Sequence, residues 1–130
     1  MNLIISKGHN MSLIENSVSI NPYFTISDEN MAAAKEMLRT FCGLVSKEKG
    51  CLFYNFCFKG NVMTCREAYQ DAAAVMAHLE NCGEALGKFG QIAELTRIEI
   101  LGPAAELDKL RAPLAGMNPE YFVLDCGTGK

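Results

Sequence analysis

Several things are missing from this chain of 130 residues, and each absence removes a class of function. The longest unbroken apolar runs are only a few residues, against the ~20 that a membrane-spanning helix needs. No block of five or more like charges occurs, and 12 lysines and arginines lie scattered among 15 acids for a net charge of −3. Nucleic-acid binders carry a basic patch or stripe and surface-seeking helices a polybasic face, so no nucleic acid and no membrane is expected as a partner. Neither G-x-G-x-x-G nor G-x-x-x-x-G-K-[ST] is present, which leaves nucleotide phosphates without a cradle. None of the six cysteines stands in a C-x-x-C pair. The nearest two, Cys51 and Cys57, lie on what reads as a strand, so no metal site is expected. Met1–Asn10 holds Leu3-Ile4-Ile5 and then turns polar, unlike a signal peptide. The thiols therefore read as reduced and mostly buried, in a cytoplasmic protein.

What is present suits one folded domain. Apolar residues make up 49% and charged residues 21%, too apolar for a disordered chain and long enough to bury roughly two-thirds of the unfolded surface. Residues 1–16 carry little pattern and read as an N-terminal arm, with Met11 as a second candidate start. The domain is expected over residues 17–126.

From Ser17 to Ile26 the chain alternates, with Val18, Ile20, Pro22, Phe24 and Ile26 on one side. This is the period of a strand, and Pro22, which has no N–H, predicts an edge or a bulge. Ser27-Asp28-Glu29 opens a helix that carries Met31, Ala34, Leu38, Phe41 and Val45 on one face for about five turns. Gly50 is its expected left-handed cap. Cys51–Phe58 is an aromatic-rich strand with both faces expected to be buried. Lys59-Gly60-Asn61 turns it into a partner strand, Val62–Tyr69. A second helix carries Ala72, Val75, Leu79, Cys82 and Leu86, with a possible break at Gly83 and an end near Gly87 and Gly90. Glu94–Leu101 is a strand, Ala104–Leu114 a helix and Tyr121–Cys126 a last strand. The order is that of an α+β ferredoxin-like (split βαβ) fold, with an antiparallel sheet and helices on one face. Its uncovered face predicts a homodimer.

Chemistry concentrates in Arg66-Glu67-Ala68-Tyr69 and His78. Glu67 and Tyr69 share a strand face with Met63 and Cys65. His78 falls about 60° from the centre of its helix's apolar stripe, at the helix–sheet seam. The three can converge on a pocket of mixed polarity. Each also has a structural alternative: a packed or surface imidazole, a core tyrosine with its hydroxyl at the rim, and an ion pair from Glu67 to Arg66 or Arg97. Asn21 and Asn55, on strands, must hydrogen-bond either the fold or a ligand. Cys82 lies one turn from His78, but on the packing stripe, so it is not expected to be a nucleophile.

The run Glu48-Lys49-Gly50-Cys51-Leu52-Phe53-Tyr54 resembles the E-x-G-C-x-x-Y segment of antibiotic biosynthesis monooxygenase-type domains. Glu67-Ala68-Tyr69 with His78 resembles that family's E-x-W…H signature, with Tyr in place of Trp. The resemblance covers residues 17–100. It implies a dimeric α/β barrel whose members include quinol monooxygenases that use no metal or flavin, so no cofactor is expected. Such an enzyme must deprotonate an enol or phenol in a dry pocket so that it can donate electrons to oxygen. By this resemblance His78 or Glu67 is the base, with Tyr69 and Asn21 holding substrate oxygens. Tyr23, Tyr54, Asn55 and Phe56 are further candidates for substrate binding. The chain has no Trp, and Asn81-Cys82-Gly83 stands where the family often has S-P-H, so haem degradation is not expected. The alternatives are a non-catalytic barrel that binds a small ligand and a structural dimer whose pocket is filled by Phe53, Phe56 and Phe58.

Overall fold

Alternation and amphipathic spacing produce the expected order of elements. The computed structural model describes residues 15–129; the N-terminal arm lies outside them except for its last two residues. The elements are β1 (Val18–Thr25), α1 (Asp28–Val45), β2 (Cys51–Lys59), β3 (Val62–Tyr69), α2 (Ala72–Phe89), β4 (Glu94–Gly102), α3 (Ala104–Arg111) and β5 (Glu120–Val123). The sheet runs β2-β3-β1-β4-β5. Its first four strands pair antiparallel and form the ferredoxin-like core, whereas β5 joins β4 in parallel and makes the sheet mixed. It is an open α+β sheet with β2 and β5 at its edges.

Pro22 is not at an edge, because β1 is the central strand. Two side chains make this tolerable. The β1–β3 ladder skips Asn21 and Pro22; the Asn21 amide donates to the Cys65 carbonyl at 3.2 Å and Thr64 Oγ1 donates to the Pro22 carbonyl at 2.8 Å. The backbone groups that the imino acid would orphan are thereby satisfied. A bulge follows at once between Tyr23 and Phe24 on the β4 side.

Other boundaries move for local reasons. Helix α1 ends at Val45 with Ser46 as its cap, so Gly50 is not a helix cap. A Cβ at Gly50 would lie 2.5 Å from the Ala74 Cβ; the glycine is there because the backbone crosses directly over α2. Helix α2 runs unbroken through Gly83 and Gly87 to Phe89. Two interior glycines cost about 1 kcal/mol each, less than burial of Cys82 and Phe89 returns. Helix α3 stops at Arg111, and although Ala112 keeps helical dihedrals, Pro113 has no N–H with which to continue the helix. Strand β5 stops at Val123, opposite Gly102, where β4 ends. The β2–β3 turn is as expected, with Gly60 at a φ of +58°.

The helices cover one face and divide the core into two clusters. One is largely aliphatic, with Val18, Ile20, Val75, Ile100, Leu107 and Leu110 packed around Tyr69. The other, under α1, is built on Phe41, Phe89, Met63, Leu38 and Ile26. On the opposite face, β2 is mostly exposed in the single chain rather than buried on both sides. The cysteines depart from expectation too: all six are free, but only Cys65 and Cys82 are buried, while Cys42, Cys57 and Cys126 are exposed.

Candidate active site

The two core clusters are separate, with Cys51 packed against both. Between the helix-side face of the sheet and α2, with Phe41 of α1 at one side and Leu114 and Met117 at the other, lies a partly open cavity of about 250 Å³. Ile20 and Ile98 contribute to its wall from the aliphatic side, and Phe24, Phe41, Phe56 and Phe89 from the aromatic side. Among the described residues that line it, the ionisable groups are Glu67, His78, Tyr54 and Cys65.

Strand and helix geometry bring these groups together. Alternation along β3 turns Cys65, Glu67 and Tyr69 toward the helices, and α2 turns His78 back toward them. Glu67 is 6% and His78 3% exposed. Tyr69 donates from its hydroxyl to Glu67 Oε1 at 2.5 Å. His78 Nε2 stands 3.7 Å from the same oxygen, beyond direct hydrogen bonding but within reach of a shared proton through a ligand hydroxyl. The other imidazole nitrogen, Nδ1, faces both Glu48 oxygens, at 3.1 and 3.0 Å. Those acceptors assign the hydrogen to Nδ1 and leave the Nε2 lone pair toward Glu67. Glu48 is itself held by Asn81, whose Nδ2 donates to Glu48 Oε2 at 2.8 Å and to the Leu44 carbonyl at 3.1 Å. The result is a carboxylate–imidazole–carboxyl–phenol series that runs from the α1–β2 connection to the cavity wall.

Burial dominates the electrostatics. It raises the Glu67 carboxyl to about 7, with Glu48 adding repulsion and hydrogen bonds from Tyr69 and Cys65 opposing the rise. Burial also lowers His78, against the pull of Glu48, so the imidazole is neutral near pH 7. Tyr54 and Tyr69 are pushed upward by burial and then by Glu67, so they remain neutral hydrogen-bond donors. A carboxyl poised near neutrality beside a neutral imidazole can take or return one proton, as acid–base chemistry on a buried substrate requires.

The Tyr54 ring lies 5.4 Å from the His78 ring, and Tyr54 pairs across the strands with Glu67. The anticipated ion pairs of Glu67 do not form. Arg66 stacks on Phe53 at 5.4 Å, and Arg97 pairs with Glu99 and Glu120. Of the site residues expected from the sequence, Glu67, His78, Tyr54 and Phe56 line the cavity and Tyr69 stands behind Glu67. Asn21, Tyr23 and Asn55 belong to the opposite alternation and lie on the helix-free side. There Asn21 repairs the ladder, Tyr23 donates to Glu99 Oε1 at 3.1 Å, and Asn55 donates to the Tyr54 carbonyl at 3.0 Å. Sequence reasoning misses Glu48 and Asn81 as site residues.

Glu48, His78 and Cys82 place oxygen, nitrogen and sulfur atoms within 4.8 Å of one another, close enough to share a cation. Their chemistry does not favour one. Cys82 Sγ donates to Glu48 Oε2 across 3.9 Å, and burial raises its thiol to about 12. A metal would have to remove that proton, since cysteine binds as the thiolate, and shift the imidazole hydrogen from Nδ1 to Nε2, away from Glu48.

The chain is 39% identical to MupZ from Pseudomonas fluorescens, over 88% of this chain and 95% of that one, with a TM-score of 0.86. A candidate antibiotic biosynthesis monooxygenase from Caulobacter crescentus superimposes with a TM-score of 0.62, at 17% identity over 75% of this chain and 98% of that one. The chain belongs to the same family as MupZ, and its fold is that of antibiotic biosynthesis monooxygenase-like domains. A Bacteroides thetaiotaomicron protein described as a possible oxidoreductase has the same fold, with a TM-score of 0.60, 21% identity and coverage of 66% and 96%. No family model matches the chain, and neither does any curated protein. No described helix of this family member is long and apolar enough to cross a membrane.

Proposed function

We propose that this family member is a cofactor-independent monooxygenase of a small phenol or quinol, bound in the cavity with one hydroxyl against Glu67 and His78. The observation that carries this reading is the buried Glu48–His78–Glu67 series ending at an otherwise apolar cavity. Such a site can remove a phenolic proton where water cannot stabilise the anion, which makes the ring a stronger electron donor to oxygen. Tyr54, whose hydroxyl has no hydrogen-bond partner among the described residues, is suited to hold the phenolate oxygen. For a hydroquinone the balance is complete without a further reductant: one hydroquinone and one dioxygen give one hydroxybenzoquinone and one water. One oxygen atom replaces a ring hydrogen as the new hydroxyl, and the other leaves as water with two hydrogens from the substrate. The substrate supplies all four electrons that dioxygen takes up.

The test is oxygen uptake with a panel of hydroquinones and polyphenols, using isotopically labelled dioxygen to follow the atoms. Uptake above the autoxidation blank, one labelled atom per product, and loss in Glu67→Gln and His78→Ala is the expected result. No enzyme-dependent uptake across the panel, with binding retained, would leave a ligand-binding role. That second reading has its own support, because Tyr69 already occupies one Glu67 oxygen.

The same reading includes a homodimer formed through the helix-free face. Phe53, Ala68, Ser19, Leu101 and Phe122 are cross-strand neighbours in one row across all five strands. Phe53, Leu101 and Phe122 are each more than one-third exposed, and covering them would remove apolar surface from water. Sedimentation of wild type and of Phe53→Glu measures this. A monomeric wild type refutes the dimer.

A further inference from the structure

The cavity holds a second kind of information, the charge of what it can accept. Glu67 lies in its wall, with Glu48 behind His78 3.0 Å from the imidazole. No lysine or arginine is among the described residues that line it. Nearby cations are engaged elsewhere: Arg66 lies over Phe53, Lys35 over Phe58, and Arg97 beside Glu99 and Glu120. An anionic ligand would therefore lose its hydration and meet one or two carboxyl groups without a compensating charge. A neutral hydroxyl faces the reverse situation. It can donate to Glu67 or to His78 Nε2, and accept from the Tyr54 hydroxyl, which otherwise has no partner among the described residues.

From this arrangement we infer that the cavity selects uncharged aromatic alcohols and rejects carboxylates and phosphates of the same size, with Glu67 as the residue that sets the selection. The inference rests on the reading that substrate occupies this cavity, and it adds a rule for which substrates can. Carboxylated aromatics and phosphorylated or coenzyme-bound forms are excluded. Any charged precursor must lose its charge before this protein acts on it.

Three probes of one ring system test it: 2-naphthol, 2-naphthoate and 2-methoxynaphthalene, titrated calorimetrically into the whole protein at pH 8. The naphthol should bind at least about tenfold more tightly than the naphthoate, and several-fold more tightly than the methoxy compound, which cannot donate. Glu67→Gln keeps the shape and removes the charge, so the gap between naphthol and naphthoate should shrink to about threefold or less. Naphthoate binding as tightly as naphthol to the wild type overturns the selection rule and leaves the cavity as a ligand site. Equal binding of the methoxy compound overturns the requirement for a donor. If none of the three binds, the cavity is not a ligand site and both readings fall. If naphthol binds selectively but phenols produce no oxygen uptake, only the oxygenase reading falls.

Discussion

Two glutamates of this protein show similar exposure, Glu67 at 6% and Glu106 at 8%, but Glu67 lies deep in the core and Glu106 just beneath the surface, and the two carboxyls are pushed in opposite directions. Glu106, on α3, accepts a hydrogen bond from the Ala72 amide at 2.9 Å and pairs with Lys109 at 2.9 Å. These partners hold its carboxyl below the usual range. Glu67 lies deep among apolar side chains with a phenol, a thiol and a more distant imidazole around it; burial, helped by Glu48, outweighs the Tyr69 and Cys65 hydrogen bonds and raises it to about 7. Low exposure alone does not define a reactive acid; depth and partners together do. A buried carboxylate given charged and backbone donors becomes a structural pin that ties α3 to the start of α2. One denied them keeps a proton that chemistry can use.

The largest expected contrast between the two is in turnover. Glu67→Gln should lower oxygen uptake on an accepted phenol by about 10²–10⁴-fold, the usual range for loss of an acid–base group. Glu106→Gln should leave uptake per folded molecule within about twofold; a comparable loss in both would erase the distinction. Next comes stability. The folded-state value of Glu67 lies above its unfolded value, so its contribution is fully favourable at low pH and is lost as pH rises through about 7. Glu67→Gln should therefore stabilise the protein at pH 8 by up to about 3 kcal/mol in urea unfolding, and the gain should vanish near pH 4.

Glu106→Ala should destabilise by about 1–3 kcal/mol at pH 7, because the Ala72 amide loses its acceptor. Here the sign reverses. The folded value is depressed, so the stabilisation is present above the unfolded value and is lost as pH falls through the folded one. Urea titrations from pH 3 to 8 should thus separate the variants: the effect of Glu67→Gln changes as pH passes from the unfolded value up through about 7, and that of Glu106→Ala only as pH falls below the unfolded value. The smallest effect expected is that of Tyr69→Phe. It removes a hydrogen bond that lowers Glu67, so the pH at which oxygen uptake is half-maximal should move upward from near 7. A downward shift would contradict the assigned donor.

Much of this is legible in the residues themselves. Period-two spacing along β3 and the 100° step along α2 are enough to aim Glu67, Tyr69 and His78 at one seam, because regular elements have directions that follow from position. Glu48 sits on a connection with no period, so nothing local points it at His78 until α2 is packed beside it, although it opens the run that carries the family resemblance. Asn21, Tyr23 and Asn55 show a different limit. Alternation separates Asn21 and Tyr23 from Ile20 and Pro22, but which side of the sheet holds the cavity depends on where the helices dock. Pro22 reads as an edge or a bulge because the rule counts one missing donor, and the bulge that follows it lies on a central strand. The Asn21 amide and the Thr64 hydroxyl, which repair that gap, come from chemistry between side chain and backbone that no one-dimensional pattern contains.

The crossing at Gly50 has one further consequence. Because the backbone there touches Ala74, the connection that carries Glu48 rests on α2 at a fixed height, set by the absence of one carbon atom. A methyl group added at this position would act as a wedge, lifting the connection and drawing the Glu48 oxygens away from the imidazole while every polar side chain remained in the protein. Gly50→Ala is thus a way to disconnect the proton series mechanically, through thickness rather than charge.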